Sequence, residues 1–265
     1  MAQTCGPRDA IGIVRREETD GYAGVVAFGG DGTVHEVVQG LMERPVAGRP
    51  ALGVVPCGTG NSLARDLGLR TWRDAAATLH RNRTRRIDLA RVEVDGAPKY
   101  CINVVGWGAI ARINRRAERL RWARDRRYDL ASILELLQPW PLPPGGAVRG
   151  GQTEDMLLGA ACLTEHTGSG MRMAPGAKLD DGLVDVVEIR RGSRVRLVGL
   201  LSAVYRAAHL RSPLVAITRV PSLELDLEPG GFVVLDGEAV PARRVTLEVL
   251  PRALTVFAAP PVENG

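Results

Sequence analysis

The chain has 265 residues, of which 45% are hydrophobic, and a formal net charge of +5. This length can bury one large core or two modest ones. No apolar run is long enough to cross a membrane, so we expect a cytoplasmic protein. Aromatic residues make up only 4% of the chain, and no nucleic-acid-binding motif is present, so no nucleic-acid partner is expected.

The first 88 residues alternate between predicted helices and predicted strands. Apolar runs indicate strands over 25–28 and 52–55, and helices are predicted over 10–16, 34–42, 62–67 and 72–80. Such alternation is typical of a parallel sheet covered by helices. The sequence therefore predicts an α/β domain over residues 1–88.

Both predicted strands lead through a glycine-rich turn into a helix. The turns contain Gly29, Gly30, Asp31, Gly32 and Thr33, and then Gly58, Thr59, Gly60 and Asn61. A glycine turn at a helix N-terminus presents unpaired N–H groups and lets a polyphosphate approach closely. We expect Asn61 to be the N-cap of the second helix. Asp31 beside a phosphate site requires a metal ion or a transferable proton between the two, or else serves as an ordinary turn residue.

From residue 87 onwards the pattern changes to short strands. Asp95-Gly96 predicts a hairpin turn, and strands follow over 155–165, 183–189, 222–228, 232–238, 244–250 and 253–259. We expect an antiparallel β-sandwich over 89–265, whose last strand can pack back on the first domain. An arginine-rich helix over 112–127 presents either a solvated face or a surface that contacts anionic lipid. The proline-rich stretch 139–146 predicts a loop.

The turn sequences GGDGTVHEVVQGLMERP and PCGTGNSLARDLG resemble the diacylglycerol kinase catalytic-domain family of lipid kinases. The resemblance continues through INVVGWGAIARINRRAERLRW, APGAKLDDGLVDVVEI and VLDGEAVP, and covers nearly the whole chain. It implies an α/β nucleotide-binding domain followed by a β-sandwich, with an active site in the cleft between them. The implied reaction transfers the γ-phosphoryl group of ATP to a lipid hydroxyl, with Mg²⁺ as a second cofactor.

The resemblance also assigns expected roles to individual residues. The two glycine turns would hold ATP, and Asp236 or Glu238 would be the general base. Asp31 would be a metal organiser or a competing base. A structural Mg²⁺ would take the carboxylate of Asp181 and the carbonyl groups of Lys178 and Leu183.

The lipid itself is left open by the sequence. Trp107-Gly108 and the helix that follows look like the sphingosine and ceramide kinase branch, yet Arg112 stands where an acid would meet a sphingoid amine. Diacylglycerol, ceramide and a sphingoid base therefore remain candidates. The first strand and the Asn-Pro turn of the family are expected to be missing here, which makes an inactive lipid-binding fragment the main alternative. An NAD kinase, which shares the GGDGT element, is a weaker one.

Overall fold

The N-terminal third of the protein consists of helices and two parallel strands. A computed structural model describes residues 2–19, 21–120, 127–136, 147–149, 152–153, 156–168 and 170–258. Its first elements are α1 (Asp9–Arg16), β1 (Gly24–Gly29), α2 (Asp31–Met42), β2 (Ala51–Pro56), α3 (Ser62–Asp66) and α4 (Trp72–His80). Strands β1 and β2 pair in parallel, and the predicted α/β character is confirmed. Helix α2 begins at Asp31, three residues earlier than the sequence predicts.

The large sheet extends from these strands into the C-terminal half. It adds β3 (Thr84–Val94), β4 (Ala97–Cys101), β6 (Ala147–Arg149), β7 (Gln152–Thr153), β13 (Ser222–Leu227) and β16 (Arg244–Phe257). The strand order is β1-β2-β16-β13-β6-β7, with β3 paired to β16 and to β4. Strand β16 pairs in parallel with β2 at Val256 and Leu52. The predicted domain boundary at residue 88 falls inside β3, and the division into domains stays a prediction.

Strand β16 corrects one prediction, because the sequence predicts two strands there. The structure has one strand of 14 residues with a register shift between Leu250 and Leu254. Arg252 lies at this irregularity with a φ of 51°, and its N–H donates to the Asp88 carboxylate at 2.7 Å. Pro251 interrupts the hydrogen-bond ladder without ending the strand, which is the usual behaviour of proline at a bulge.

The second sheet is antiparallel, as predicted. Its strands are β5 (Val104–Gly108), β8 (Met156–Cys162), β11 (Val184–Arg190), β12 (Val215–Val220), β14 (Phe232–Leu235) and β15 (Glu238–Pro241), in the order β12-β11-β8-β5-β14-β15. A hairpin of β9 (His166–Thr167) and β10 (Met171–Arg172) stands apart. Buried side chains such as Val92, Trp107, Leu225, Val233 and Leu247 form one core between the two sheets, so the second half is a β-sandwich.

Three helices lie on the other side of the second sheet, two packed against its strands and one packed against those two helices. They are α5 (Ala109–Arg119), α6 (Arg127–Leu136) and α7 (Arg194–Val204), and a 3-10 turn follows at His209–Arg211. The single helix predicted over 112–127 therefore ends at Arg119 in the structure, and residues 121–126 lie outside the described part of the chain, as does the predicted loop over 139–146. Helix α7 was missed by the sequence analysis. None of the helices in the described residues has the length and apolar character needed to span a bilayer.

Candidate active site

The two glycine turns lie against each other. A Cβ atom added to Gly58 would approach the Cα atom of Gly30 to 2.4 Å, and one added to Gly60 would lie 2.2 Å from Oδ2 of Asp31. Because no side chain fits into these gaps, glycine is required at both positions for the turns to meet. The structure thus brings together two strand-to-helix turns that are about thirty residues apart in sequence.

Asp31 joins the two turns. Its Oδ1 atom accepts a hydrogen bond from the backbone N–H of Ser62 at 2.7 Å, and its Oδ2 atom accepts one from the Ser62 hydroxyl at 3.2 Å. The Asp31 carboxylate therefore caps α3, although this helix begins 31 residues later in the sequence. Burial and the nearby charge of Asp236 raise the pKa of Asp31 to about 6, against the opposing effect of the Ser62 hydrogen bonds.

Asn61 departs from its predicted role. It precedes α3 with a left-handed φ of 53°, and its side chain makes no capping hydrogen bond to the helix. Instead, its amide accepts from the N–H of Gly58 and donates to the Gly58 carbonyl. The side chain therefore closes the second turn on itself, while Asp31 takes over the capping role.

Six of the nine residues predicted to hold ATP line one cleft: Gly30, Asp31, Gly32, Gly58, Thr59 and Gly60. The remaining three, Gly29, Thr33 and Asn61, are not among the described residues that line it. A Cβ atom at Gly29 would lie 2.4 Å from the Thr33 hydroxyl, so these two residues pack against each other within the first turn. Gly30, Asp31 and Gly32 form the N-terminus of α2 and line the cleft, and the unpaired N–H groups of a helix N-terminus suit a phosphate group.

Asp236 lies across the cleft at the end of β14, in a turn with a φ of 49°. Its side chain has no exposed surface. One carboxylate oxygen accepts from the N–H groups of Asn103 and Val104, and the other accepts from the N–H of Ile102 and from Nδ1 of His35. Burial would raise the pKa of Asp236, but the hydrogen bonds and the charge of His35 outweigh it and lower the pKa.

Glu238 is the more accessible acid of the pair. Its side chain is 42% exposed and lies between two basic groups. The Arg8 guanidinium contacts Oε1 at 3.3 Å, and Nε2 of His35 lies 3.8 Å from Oε2. Both Asp236 and Glu238 line the same cleft as the glycine turns. The structure therefore brings together all three predicted catalytic acids.

The predicted Mg²⁺ turn lies elsewhere. Lys178 and Asp181 are exposed, and Oδ1 of Asp181 accepts from the N–H of Leu183 at 3.1 Å. The neighbouring Asp185 is buried and bonds to Arg219. No group of three His, Cys, Asp or Glu side chains in the described residues is arranged to hold a metal ion, so this site stays a prediction.

The cleft continues from the polar end into an apolar chamber. The whole cavity has a volume of about 1200 Å³. The chamber lies between α5, α7 and the second sheet, and its wall includes Ile113, Leu157, Ile189, Leu197, Leu200 and Val204. A cavity that is polar at one end and apolar at the other suits an amphiphilic ligand.

Arg112 is not placed as the sequence analysis expected. Its Nε atom bonds to Oε1 of Glu135 in α6 at 2.5 Å, and Arg116 contacts the same buried carboxylate. Arg112 is not among the described residues that line the cleft, whereas Glu135 is. Hence Arg112 joins α5 to α6, and the structure gives no support for a contact between Arg112 and a lipid headgroup.

The sequence analysis did not single out His35. The signal was present, because Asp31, His35 and Gln39 recur every four residues and so share one face of α2. That face points at the second half of the chain, where Gln39 bonds to both backbone groups of Tyr100. The partners of these side chains lie about 60 to 200 residues away along the chain and could not be identified from sequence.

The fold and the site together have a two-part arrangement, in which the glycine turns of the α/β layer face a β-sandwich across a cleft. Residues 1–92 match the diacylglycerol kinase catalytic domain, and residues 103–258 match the YegS C-terminal NAD kinase beta sandwich-like domain. The chain therefore belongs to the lipid kinase family with a diacylglycerol kinase catalytic domain, whose members phosphorylate an alcohol group.

Individual relatives agree with this assignment. The chain is 32% identical over 255 residues to a diacylglycerol kinase of Mycobacterium tuberculosis, covering 94% of this chain and 81% of that protein. It is 31% identical over 260 residues to a probable YegS-like lipid kinase of Chromohalobacter salexigens, covering 94% and 80%. A solved structure of a putative diacylglycerol kinase from Bacillus anthracis superimposes with a TM-score of 0.75 at 21% identity, covering 98% of this chain and 85% of that one.

Proposed function

We propose that the protein is an ATP-dependent kinase that phosphorylates the hydroxyl group of a neutral acylated lipid, with diacylglycerol as the first candidate. One observation carries the proposal: a single cleft joins the glycine turns, an accessible carboxylate and an apolar chamber. Both relatives described above are named as lipid kinases, and the more similar one is named a diacylglycerol kinase. Ceramide and a sphingoid base are the alternative substrates.

The polar end of the cleft is the nucleotide site in this proposal. The N-terminus of α2 and the two turns would bind the phosphates, with Gly30, Gly58 and Gly60 letting the two turns meet and Gly32 leaving open space. ATP would supply the transferable phosphoryl group when bound. The half-buried carboxylate of Asp31, whose pKa is raised to about 6, suits a hard cation that also takes phosphate oxygens, which is how Mg²⁺ usually binds in kinases.

Glu238 is the general base in this proposal. Asp236 already accepts four hydrogen bonds and has no exposed surface, so it cannot reach a substrate. Glu238 lines the cleft and keeps part of its carboxylate exposed. It would accept the proton of the lipid hydroxyl as the hydroxyl oxygen forms its bond to phosphorus, and ADP would leave with the bridging oxygen. Asp236 fixes the turn from which Glu238 projects.

The apolar chamber would hold an acyl chain. Its lining is hydrophobic on the sides formed by α5, α7 and the second sheet, and burial of each methylene group contributes about 0.8 kcal/mol. Such binding energy orients the headgroup towards Glu238. We further propose that the protein acts at the cytoplasmic face of a membrane, as a peripheral protein in contact with anionic lipid.

The test is incubation with labelled ATP and Mg²⁺ on separate diacylglycerol, ceramide and sphingosine substrates, followed by thin-layer chromatography of the extracted lipids. We expect label in phosphatidic acid or in another lipid phosphate. Glu238→Gln should lower turnover by about 100-fold or more. Glu224→Gln is the matched control, because that glutamate is 71% exposed on β13 and should leave turnover unchanged. Label in NADP rather than in lipid, or no label in any product, would contradict the proposal.

A further inference from the structure

Helix α7 is apolar on two opposite sides. Its inner residues Leu197, Leu200 and Val204 are buried and line the chamber. On its outer side, the side chain of Val195 is 83% exposed and that of Val198 is 52% exposed. A surface helix normally places charged or polar residues on its outer face, so the outer side of α7 requires a different explanation.

The surroundings of α7 are apolar and strongly basic. Ile133 on the adjacent helix α6 is also largely exposed. The sequence from 189 to 223 contains seven arginines and no aspartate or glutamate. Two of these arginines, Arg194 and Arg196, lie in the first turn of α7 and are exposed. Arginine beside exposed aliphatic residues is the composition of surfaces that enter the headgroup layer of anionic membranes.

We propose that the outer face of α7, formed by Val195, Val198, Arg194 and Arg196 together with Ile133, docks on an anionic lipid bilayer. Two observations favour a bilayer over a protein partner. The basic charge of this segment complements anionic headgroups, and the inner face of the same helix lines the lipid chamber. A helix that contacts the bilayer on one side and the chamber on the other gives a lipid a short path into the cleft. This inference rests on the proposed function.

The experiment is sedimentation of the protein with phosphatidylcholine vesicles, with and without phosphatidylglycerol. We expect binding that requires phosphatidylglycerol. Binding of the double variant Val195→Asp/Val198→Asp should be weaker by at least about tenfold, because neither side chain can then be buried in the bilayer. Val46→Asp is the matched control, since this valine is 74% exposed in the loop between α2 and β2 and should bind as the wild type does. The double variant should still phosphorylate a short-chain lipid dispersed as monomers.

Three results would overturn the docking proposal. These are undiminished vesicle binding by the double variant, equal binding of the wild type to vesicles with and without phosphatidylglycerol, and a wild-type dimer that the double variant converts to a monomer. The last result would assign the face to a second copy of the chain. Failure of the proposed kinase function is distinguishable, because it would remove turnover of every lipid while vesicle binding persisted.

A second and independent observation concerns His35. The Asp236 carboxylate accepts a hydrogen bond from Nδ1 of His35, so this nitrogen must carry a proton. The other ring nitrogen, Nε2, lies 3.8 Å from the Glu238 carboxylate. The other charged groups around this pair are Lys99 on β4 and Arg8, which contacts Glu238. Hence the imidazole ring of His35 connects the buried carboxylate of Asp236 to the accessible carboxylate of Glu238.

We infer that His35 is a positioning residue, whose imidazolium form holds the Glu238 carboxylate in place at the wall of the cleft. Burial lowers the pKa of His35, and the charge of Lys99 lowers it further. The hydrogen bond and charge of Asp236, together with the charge of Glu238, outweigh both effects and raise the pKa above 6.5. The imidazolium form is thereby favoured at neutral pH. As pH rises through this pKa, the charge that faces Glu238 disappears.

The test compares the pH dependence of kcat/KM for the wild type, His35→Asn and His80→Asn. Asparagine at position 35 can still donate to Asp236 but carries no charge, and His80 is an exposed histidine at the end of α4. We expect wild-type and His80→Asn activity to fall several-fold as pH rises through the His35 pKa, while His35→Asn is low and flat. An identical fall in His35→Asn would overturn the inference.

A binding-independent measurement separates this inference from the kinase proposal. Titration of the His35 ring by NMR requires no substrate or turnover. We expect a lower His35 pKa in Glu238→Gln than in the wild type, because the facing negative charge is removed. An unchanged His35 pKa in that variant would overturn the positioning role, whatever the activity assays give.

Discussion

Replacement of Asp236 by asparagine should destabilise the protein strongly, because this carboxylate joins three separate parts of the chain. It accepts from the backbone where β4 passes into β5 and from His35 on α2, and it lies in the turn between β14 and β15. An asparagine has one accepting oxygen in place of two. Its amide nitrogen must therefore face donors that the second carboxylate oxygen now satisfies.

The magnitude follows from these contacts. Depending on which oxygen the amide nitrogen replaces, either the buried N–H of Ile102 or those of Asn103 and Val104 would lose their acceptor. The cost is about 1–3 kcal/mol. Loss of the charged hydrogen bond to His35 adds about 1.5–3 kcal/mol. The free energy of unfolding should therefore fall by roughly 2.5–6 kcal/mol. At about 2–4 °C for each kcal/mol in a protein of this size, Tm should fall by roughly 5–24 °C.

The assay is thermal unfolding followed by circular dichroism, with Glu238→Gln as the control. That glutamate is partly exposed and pairs with an arginine that is 74% exposed, so its replacement should change the free energy of unfolding by about 1 kcal/mol or less. If Asp236→Asn unfolded at the wild-type temperature, the carboxylate would not anchor the junction, and the reasoning for both Asp236 and His35 would be refuted.

Three further predictions concern the turns, the helix pair and pH. Gly60→Ala should weaken binding of Mg·ATP in calorimetry, because the added Cβ atom would lie 2.2 Å from Oδ2 of Asp31. Gly199→Ala is the control, because its Cβ atom would meet no atom within 4 Å, and it should bind Mg·ATP normally. Equal binding by the two variants would count against the turns as the nucleotide site. Arg112→Asp should lower Tm, because it leaves Glu135 buried beside a second acid, and a changed lipid preference without a loss of stability would contradict this. The buried pair of His35 and Asp236 should stabilise the protein most between about pH 4 and 6.5. Because the pKa of His35 is raised in the folded protein, its contribution to stability is lost as pH rises through that pKa. Because the pKa of Asp236 is lowered, its contribution is lost as pH falls through that pKa. A Tm difference between the wild type and Asp236→Asn that did not vary with pH would argue against this coupling.

The sequence predicted the fold class because the relevant signals are local. Apolar periodicity and two glycine turns identify strand-to-helix junctions such as those at Gly30 and Gly58, and a hairpin turn is evident at Asp95-Gly96. Helix α7 was missed for a local reason as well. Its apolar residues lie on two sides, interleaved with arginines on the outer side, so they do not form the single apolar stripe by which helical periodicity is recognised.

The capping partner of α3 shows where local signals fail. Asn61 has the residue type and position of an N-cap, yet the carboxylate that caps the N–H of Ser62 comes from Asp31, thirty-one residues before that serine. Sequence rules score each helix end by its neighbours along the chain. A tertiary contact that satisfies the same N–H group therefore displaces the local candidate without any sign in the sequence.

By itself, the sequence determined the order of most elements, the two glycine turns and the set of candidate acids, since these depend on residue type and on contacts within a few positions. Only the tertiary structure decided which acid is buried and which is partly exposed at the cleft. Asp236 and Glu238 are two residues apart, but backbone N–H groups from Ile102 to Val104 surround only the first. The availability of a carboxylate depends on burial and on hydrogen-bond partners from distant segments, and these are fixed only when the chain folds.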